Sequence, residues 1–273
     1  MDCRPVRFLL VTVSLLGLAH PRLGRAQAAS PAPLAPGETL AYDVYWSIFP
    51  AGELVATLLR DAGNGQAPDH IKTTARSQGF VSLLFNVQNE FHSYFDPQTL
   101  CSRRMSKKIN EGRRRKETKL VFDSARRLAI LEERDLAKPG SPPKHAENEI
   151  PACVEDIVTG FYYLRRQPLE VGKEVRVPVN DGSKTYEVSV EVQARERIQT
   201  PLGERSAFRL EPKVFDGLYK RKGRMLIWMS DDAERLPLRI KAMITLGSIT
   251  GDLRAVTKPG GPPAVSAPGE SRR

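Results

Sequence analysis

The chain is poor in the side chains that build metal and redox sites. Among its 273 residues it has three cysteines and four histidines, and it has neither a C-x-x-C pair nor an H-E-x-x-H motif. A G-x-S-x-G turn, a glycine-rich phosphate loop and a dinucleotide-binding fingerprint are also absent. These absences argue against the common zinc-dependent, nucleotide-dependent and serine-hydrolase classes. We therefore expect no metal, no cofactor and no catalytic activity.

Long apolar runs are also scarce, and the longest one lies close to the N terminus. Residues 8–19 are mostly apolar, but this run is too short for an ordinary transmembrane helix of roughly 20 residues. Arg4 and Arg7 precede it, and Ala26-Gln27-Ala28 follows as an A-x-A cleavage site. The pattern predicts a signal peptide over residues 1–28, with an uncleaved membrane anchor as the alternative. The remaining sequence predicts no transmembrane span.

Cysteine usage agrees with export. Removal of residues 1–28 leaves only Cys101 and Cys153, and an even number of cysteines in an oxidising compartment predicts a disulfide. A bond that closes a loop of about 50 residues would stabilise the fold by about 4 kcal/mol in the chain-entropy description. Two buried free thiols are the alternative, because the sequence alone does not place the two Cα atoms close together.

Proline-rich stretches divide the chain. Prolines concentrate at 31–36, 139–151 and 259–268, as is typical of linkers and loops. We interpret residues 29–36 as a linker and residues 37–256 as a single β-rich domain. Residues 257–273 have no large apolar side chain other than Val265, so we predict a disordered tail.

Between the linkers the dominant pattern is that of β-strands. Leu40, Tyr42, Val44 and Trp46 alternate with the residues between them, and this period of two predicts a half-buried strand. Pro50-Ala51 predicts the first turn. The predicted strands are 40–46, 52–60, 70–77, 87–95, 99–109, 114–122, 127–133, 174–179, 185–192, 206–212, 224–229, 237–244 and 246–256.

One segment has helical spacing instead. The apolar residues of 154–166 form a single stripe, Glu155 and Asp156 lie at its start, and Arg165 and Arg166 lie at its end. These charges suit the helix macrodipole, which explains the two acids better than general acid–base catalysis does. We therefore predict a mainly β fold, with a large antiparallel sheet and one packed amphipathic helix.

Several segments, taken in order, carry a family resemblance. They are GETLAYDV at 37–44, AGE at 51–53, FYYLR at 161–165, PLEVG at 168–172, TPLGE at 200–204, WMSDD at 228–232 and LGS at 246–248. Over about 37–256 the chain resembles a bacterial family of exported proteins, domain-of-unknown-function family number 3108. The resemblance implies export to a bacterial periplasm and a mainly antiparallel β fold, without an established activity, substrate or catalytic residue. A sheet curved around a helix would resemble the clam-shaped carriers, or open barrels, that shield lipoprotein acyl chains, which is an analogy of fold only.

Positive charge concentrates in residues 103–119, which we call the basic hairpin. Its candidate anion-binding residues are Arg103, Arg104, Lys107, Lys108, Arg113, Arg114, Arg115 and Lys116, and Lys119 adds a further charge. A turn at 110–112 would place Lys108 near Arg114 and Lys107 near Arg115, and such like-charge pairs destabilise a strand pair. The hairpin is either a solvated edge that resists aggregation or a site for an anionic lipid, lipopolysaccharide or an acidic envelope protein. Export and the absence of a recognised module argue against nucleic acid.

Six aromatic residues offer a second candidate site. They are Trp46, Phe91, Phe95, Phe161, Tyr162 and Trp228. On strands and a core helix such residues usually fill the core, and the alternative is the wall of an apolar ligand cavity.

These features favour a non-enzymatic exported protein that binds a lipid-like or anionic amphipathic ligand or assists envelope assembly. The alternative is a structural or interaction protein with a solid core and no ligand, and a hydrolase is the third hypothesis.

Overall fold

The structure, a computed structural model, describes residues 32–60, 69–213 and 223–259. The predicted signal peptide, the first residues of the predicted linker and residues 260–273 of the predicted tail lie outside the described residues. The strands are β1 (Thr39–Trp46), β2 (Phe49–Leu59), β3 (His70–Ser77), β4 (Gln88–Phe95), β5 (Ser102–Glu111), β6 (Arg114–Asp123), β7 (Leu128–Asp135), β8 (Lys144–Glu149), β9 (Glu174–Asn180), β10 (Thr185–Thr200), β11 (Gly203–Pro212), β12 (Arg224–Ser230), β13 (Pro237–Ile244) and β14 (Gly247–Thr257). The helices are α1 (Gly79–Leu84) and α2 (Thr159–Arg165).

All of these strands belong to one antiparallel sheet. Its order is β8-β7-β6-β5-β4-β3-β2-β1-β14-β13-β12-β11-β10-β9, so the first and last of the described strands pair at the centre. β8 and β9 are the two edges, and the sheet is open, not closed into a barrel. The predicted fold class, a mainly antiparallel β-sheet with one packed helix, is confirmed.

The meander gives the sheet two distinct ends. Each odd-numbered strand runs in the same direction, so every reversal from an odd-numbered strand to the next even-numbered strand lies at one end. We call it the α1 end, because α1 connects β3 to β4 there. The reversal of the basic hairpin, between β5 and β6, lies at this same end.

The segment that contains α2 joins the two edges and packs on the inner face of the sheet. Val154 packs with Met105 and Leu120 in one buried cluster, whereas Tyr162 and Leu164 belong to two others. Each cluster is built from alternate strand residues, which point to the same face of a sheet. The stripe predicted from helical spacing therefore does face the core.

The helix is shorter than the predicted 154–166 and begins only at Thr159. Before it, the backbone of Glu155 is extended and forms a parallel bridge with Val179 of β9. The Glu155 N–H donates to the Pro178 carbonyl (2.8 Å), and the Asn180 N–H donates to the Glu155 carbonyl (2.9 Å). Pairing with a distant strand therefore overrides the local helical pattern.

Two further differences concern loops. The proline-rich stretch at 139–151 includes the edge strand β8, which pairs with β7. The first turn lies at Ser47, which has φ 55°, and not at Pro50-Ala51, which belong to β2. Position 52 needs a glycine, because β2 and β3 approach each other closely there. A Cβ atom on residue 52 would lie 2.0 Å from the Arg76 carbonyl oxygen.

Candidate functional site

A buried carboxylate anchors the start of α2 to the sheet. Asp156 has no exposed surface and accepts hydrogen bonds from the hydroxyls of Ser93 (3.0 Å) and Ser102 (3.1 Å), on β4 and β5. Its Oδ1 also accepts from the backbone N–H groups of Val158 and Thr159. Burial raises the pKa of the Asp156 carboxyl, and these hydrogen bonds oppose the rise. The side chain thus serves the helix start, as expected from the sequence.

The neighbouring Glu155 is buried with less compensation. It has no exposed surface, and its Oε2 atom has no hydrogen-bond partner among the described residues. Desolvation raises the pKa of the Glu155 carboxyl to about 8. The carboxyl is therefore mostly neutral at pH 7, which lowers the cost of burying it beside Asp156.

A buried ion pair fixes the other end of α2. The Arg165 guanidinium donates to both Glu38 carboxylate oxygens, at 2.6 and 3.0 Å, and its Nε donates to the Glu234 carbonyl at 3.2 Å. Glu38 immediately precedes β1, and Glu234 lies between β12 and β13. The pair therefore ties the helix to the centre of the sheet.

The predicted disulfide between Cys101 and Cys153 is confirmed, with a Cα–Cα distance of 5.0 Å. It links the residue before β5 to the segment that leads into α2. Next to it, the Ser102 N–H donates to the Val154 carbonyl at 2.9 Å. The helical segment is thus joined covalently to one half of the sheet and by the Glu38–Arg165 pair to its centre.

Between α2 and the inner face of the sheet lies a partly open cavity of about 340 Å³. No charged residue, histidine or cysteine is among its wall residues. The wall consists of Leu40, Tyr42, Leu54, Ala56, Thr73, Phe91, Ile157, Val158, Gly160, Phe161, Tyr162, Leu164, Val177, Val179, Val188, Val190, Pro212, Met225, Ile227, Pro237 and Ile240. An apolar concavity of this size is typical of small-molecule and lipid sites.

Two hydroxyls in the wall lack protein partners. Thr73 Oγ1 and Tyr162 Oη are buried and have no hydrogen-bond partner among the described residues. Burial raises the pKa of the Tyr162 phenol, and also that of Tyr42 beside it, so both remain neutral donors. The cavity wall is therefore almost wholly apolar, because these two hydroxyl oxygens have almost no accessible surface and lie behind it.

The six aromatic residues proposed from the sequence divide between the two interpretations. Phe91, Phe161 and Tyr162 line the cavity. Phe95 is buried in the core, and the Trp228 ring is buried with its Nε1 donating to Glu196. The sixth, Trp46, lies near the α1 end, where its Nε1 donates to the Leu246 carbonyl at 2.9 Å.

The aliphatic residues that line the cavity were not identified as site residues from the sequence. Val177 and Val179 on β9, with Val188 and Val190 on β10, provide one side of the cavity. Their alternation does predict that they share a face. It does not distinguish a face packed against other side chains from a face that borders a cavity, because that depends on the distance to α2.

The register of the basic hairpin differs from the predicted one. Lys108 lies opposite Glu117, not near Arg114, and Lys107 lies opposite Thr118. The turn falls at Gly112, whose φ of 57° favours glycine, and at the residue after it. Lys108 therefore faces the opposite charge of Glu117 across the strands, and the two like-charge pairs expected from the sequence do not form.

The structure also separates the eight anion-binding candidates. Lys107 and Lys116 are half-buried on the inner face, where Lys116 Nζ lies 2.5 Å from Glu133 and burial lowers the pKa of Lys107. Arg103 pairs with Asp96 at 2.8 Å. The exposed candidates on the outer face and at the turn are Arg104, Lys108, Arg113, Arg114 and Arg115. Of these, Arg104 lies 4.1 Å above the Tyr94 ring and Arg114 lies 3.3 Å from Glu111, whereas Lys108, Arg113 and Arg115 form no ion pair within the described residues.

Two further observations concern the described ranges as a whole. Within them, no cluster of three or more histidine, cysteine, aspartate or glutamate side chains is arranged to hold a metal ion. Neither α1 nor α2 has the length and apolar character needed to cross a membrane.

Comparisons with known proteins agree with the fold. A family model described as "Protein of unknown function (DUF3108)" matches residues 41–254. The chain is similar to a solved β-barrel-like protein of domain of unknown function DUF1849 from Brucella abortus, at 9% identity over 83% of this chain and 98% of that chain, with a TM-score of 0.52. A protein with a YmcC-like fold from Bacteroides fragilis matches at 10% identity over 84% of this chain and 100% of that chain, with a TM-score of 0.37. At such identities the first similarity concerns the fold alone. No curated protein matches the chain.

Proposed function

The chain belongs to the DUF3108 family of proteins of unknown function, and we propose that it is an exported, non-enzymatic protein that binds a lipid-like amphipathic ligand between α2 and the sheet. The observation that carries this proposal is the apolar cavity of about 340 Å³. Protein interiors rarely contain voids much larger than a water molecule, and an apolar cavity of about 150 Å³ is already large enough to bind benzene. The volume therefore favours a ligand site over the alternative of a solid core.

The wall chemistry supports an acyl or similar hydrocarbon chain. Burial of apolar surface contributes about 25 cal/mol per Å², and a flexible chain can follow a wall built from several strands. Thr73 and Tyr162 belong to the wall, but their hydroxyl oxygens have almost no accessible surface. A polar head group would therefore lie at the open side of the cavity, where water can hydrate it.

Binding without catalysis is proposed because the wall offers no nucleophile and base in contact. Glu155 and Asp156 are absent from the wall, and Asp156 is engaged by the start of the helix. Export is proposed from the predicted signal peptide, and the Cys101–Cys153 disulfide suits an oxidising compartment such as the periplasm. A carrier of such ligands outside the cytoplasm would fit a role in envelope assembly.

The proposal is tested by native mass spectrometry and lipid extraction of the protein purified without detergent from an expressing bacterium. We expect a bound species that extraction identifies as an amphipathic lipid. Displacement of a fluorescent fatty acid then measures affinity in two matched variants. Val190→Trp should fill the cavity and abolish binding, and Val121→Trp, on the exposed face of β6, should not.

Because an added indole in a packed interior can destabilise the fold, thermal unfolding of both variants is recorded, and Ile240→Trp at the half-buried part of the wall serves as a second cavity variant. A clean protein mass together with no displaceable binding by the wild type would reject the ligand and return the protein to the solid-core interpretation.

A further inference from the structure

The α1 end of the sheet exposes a concentration of large apolar side chains. Seven residues there each expose between 51% and 84% of their surface. They are Ile48, Phe49, Phe80, Leu83, Leu84, Phe85 and Leu246, and we call them the apolar patch. Contiguous exposed apolar surface on a soluble domain is typical of a site for a protein or a membrane.

Three separate chain reversals bring these residues together. The β1–β2 turn contacts the β13–β14 turn, because Trp46 Nε1 donates to the Leu246 carbonyl and the Trp46 ring lies 6.5 Å from that of Phe49. α1 is held beside the start of β2, just after this turn, by the Gln78 N–H, which donates to the Ala51 carbonyl at 2.8 Å. The patch is therefore one surface built by the fold.

The tip of the basic hairpin borders this patch directly. The Gly112 N–H donates to the Asn86 carbonyl at 2.8 Å, and a Cβ atom on Gly112 would lie 3.3 Å from the Phe85 ring. Arg113, Arg114 and Arg115 follow at once and are exposed. A cationic rim thus begins one residue after the point where the hairpin tip bonds to Asn86 and approaches the Phe85 ring, just after α1.

We propose that the apolar patch and the hairpin tip together dock on the surface of an anionic phospholipid bilayer. Apolar side chains at such a surface enter about 5–10 Å into the boundary between head groups and acyl chains, while basic residues remain among the phosphates. α1 itself has no acidic residue in its first turn and no buried residue, so its side chains are available to enter lipid. Charge complementarity selects an anionic bilayer over a neutral one. This proposal does not depend on the cavity or its ligand.

Vesicle co-sedimentation of the full chain, purified from an expressing bacterium, tests the docking. Vesicles of phosphatidylglycerol and phosphatidylcholine are compared with phosphatidylcholine alone, at low and physiological salt. Two variants remove the two parts of the surface: Leu83→Ser with Leu84→Ser, and a triple change of Arg113, Arg114 and Arg115 to Ser. We expect each to weaken binding to the anionic vesicles by about tenfold or more, and the binding of the wild type to weaken with salt.

Matched controls make the same chemical changes elsewhere. Val121→Ser with Val171→Ser removes two exposed apolar side chains outside the patch, and a triple change of Arg126, Arg166 and Lys173 to Ser removes three exposed cations away from the α1 end.

Both controls should bind as the wild type does. Absence of wild-type binding at low salt, equal losses in variants and controls, or a loss confined to the arginine variant would overturn the joint docking surface. The last outcome would mean that charge alone attracts the protein to the anionic vesicles and that the apolar patch does not enter them. A cavity without a ligand would leave the docking result unaffected.

Discussion

Arg165 on α2 donates from two nitrogens to the carboxylate of Glu38, 127 residues earlier in the chain, and both side chains are almost completely buried. Removal of one partner would leave an uncompensated buried charge. We expect Arg165→Ala to lower the free energy of unfolding by about 3–5 kcal/mol. Replacement of both residues, Glu38→Leu with Arg165→Met, should cost much less.

Urea unfolding of these variants measures the effect, and Arg176→Ala is the control. Arg176 lies 3.3 Å from Glu187, but both side chains are largely exposed, so its loss should change the free energy of unfolding by less than about 1 kcal/mol. Equal losses for Arg165→Ala and Arg176→Ala would mean that the Glu38 carboxylate left without its partner carries no extra cost from its burial.

Glu155 predicts an unusual dependence of stability on pH. Its folded-state pKa of about 8 lies above the ordinary value of 4.5, so the folded state binds the proton more tightly than the unfolded state. The stability that this tighter proton binding gives the folded state is fully present below about pH 4.5, and it is lost as the pH rises through about 8. Glu155→Gln should therefore be more stable than the wild type at pH 9, by on the order of 4 kcal/mol, and nearly equal to it at pH 5.

Thermal and urea unfolding at several pH values test this, with Glu174→Gln on the exposed start of β9 as the control. The raised pKa of Asp156 acts in the same direction and remains in the variant, so some pH dependence should persist. A wild type and a Glu155→Gln variant with parallel stability curves from pH 5 to 9 would contradict the assignment.

The strands could be predicted because their signal is local. β3 (His70–Ser77) and β13 (Pro237–Ile244) match the predicted bounds to the residue, since alternation and flanking turn residues act within a few positions. The first part of the predicted helix could not be placed, because Glu155 pairs with Val179 of a later strand. That pairing is stabilised by tertiary contacts that a local pattern does not contain.

The same distinction applies to the candidate site. The charge of the basic hairpin is evident in the sequence, but the orientation of each side chain depends on the turn at Gly112 and thus on the register. The cavity depends on how far α2 lies from the sheet, which long-range contacts such as that between Glu38 and Arg165 determine. The apolar patch arises from three reversals that only the topology brings together.

The Cys101–Cys153 bond should contribute to stability mainly through the unfolded state. It joins residues 52 positions apart, and closure of a loop of that length corresponds to about 4 kcal/mol in the chain-entropy description. In urea unfolding, the double variant Cys101→Ser with Cys153→Ser should have a free energy of unfolding lower than that of the wild type by about that amount. Wild type reduced with dithiothreitol should lose a similar amount of its free energy of unfolding, whereas dithiothreitol should not change the free energy of unfolding of the variant. A fully alkylated native wild type without prior reduction would contradict the bond.

Tyr162→Phe separates the role of the ring from that of its hydroxyl. Because Tyr162 Oη is buried without a protein partner, removal of the hydroxyl should leave the free energy of unfolding unchanged or raise it by about 1–2 kcal/mol. If ligand binding turns this buried hydroxyl towards the head group so that it donates, affinity for a long-chain fatty acid should fall by about tenfold, as expected for one hydrogen bond. Affinity for a hydrocarbon of equal length should not change. Probe displacement measures both, with Tyr163→Phe, outside the wall, as the control. Equal weakening of both ligands would show that the ring position matters and the hydroxyl does not, because the hydrocarbon has no acceptor that the hydroxyl can meet.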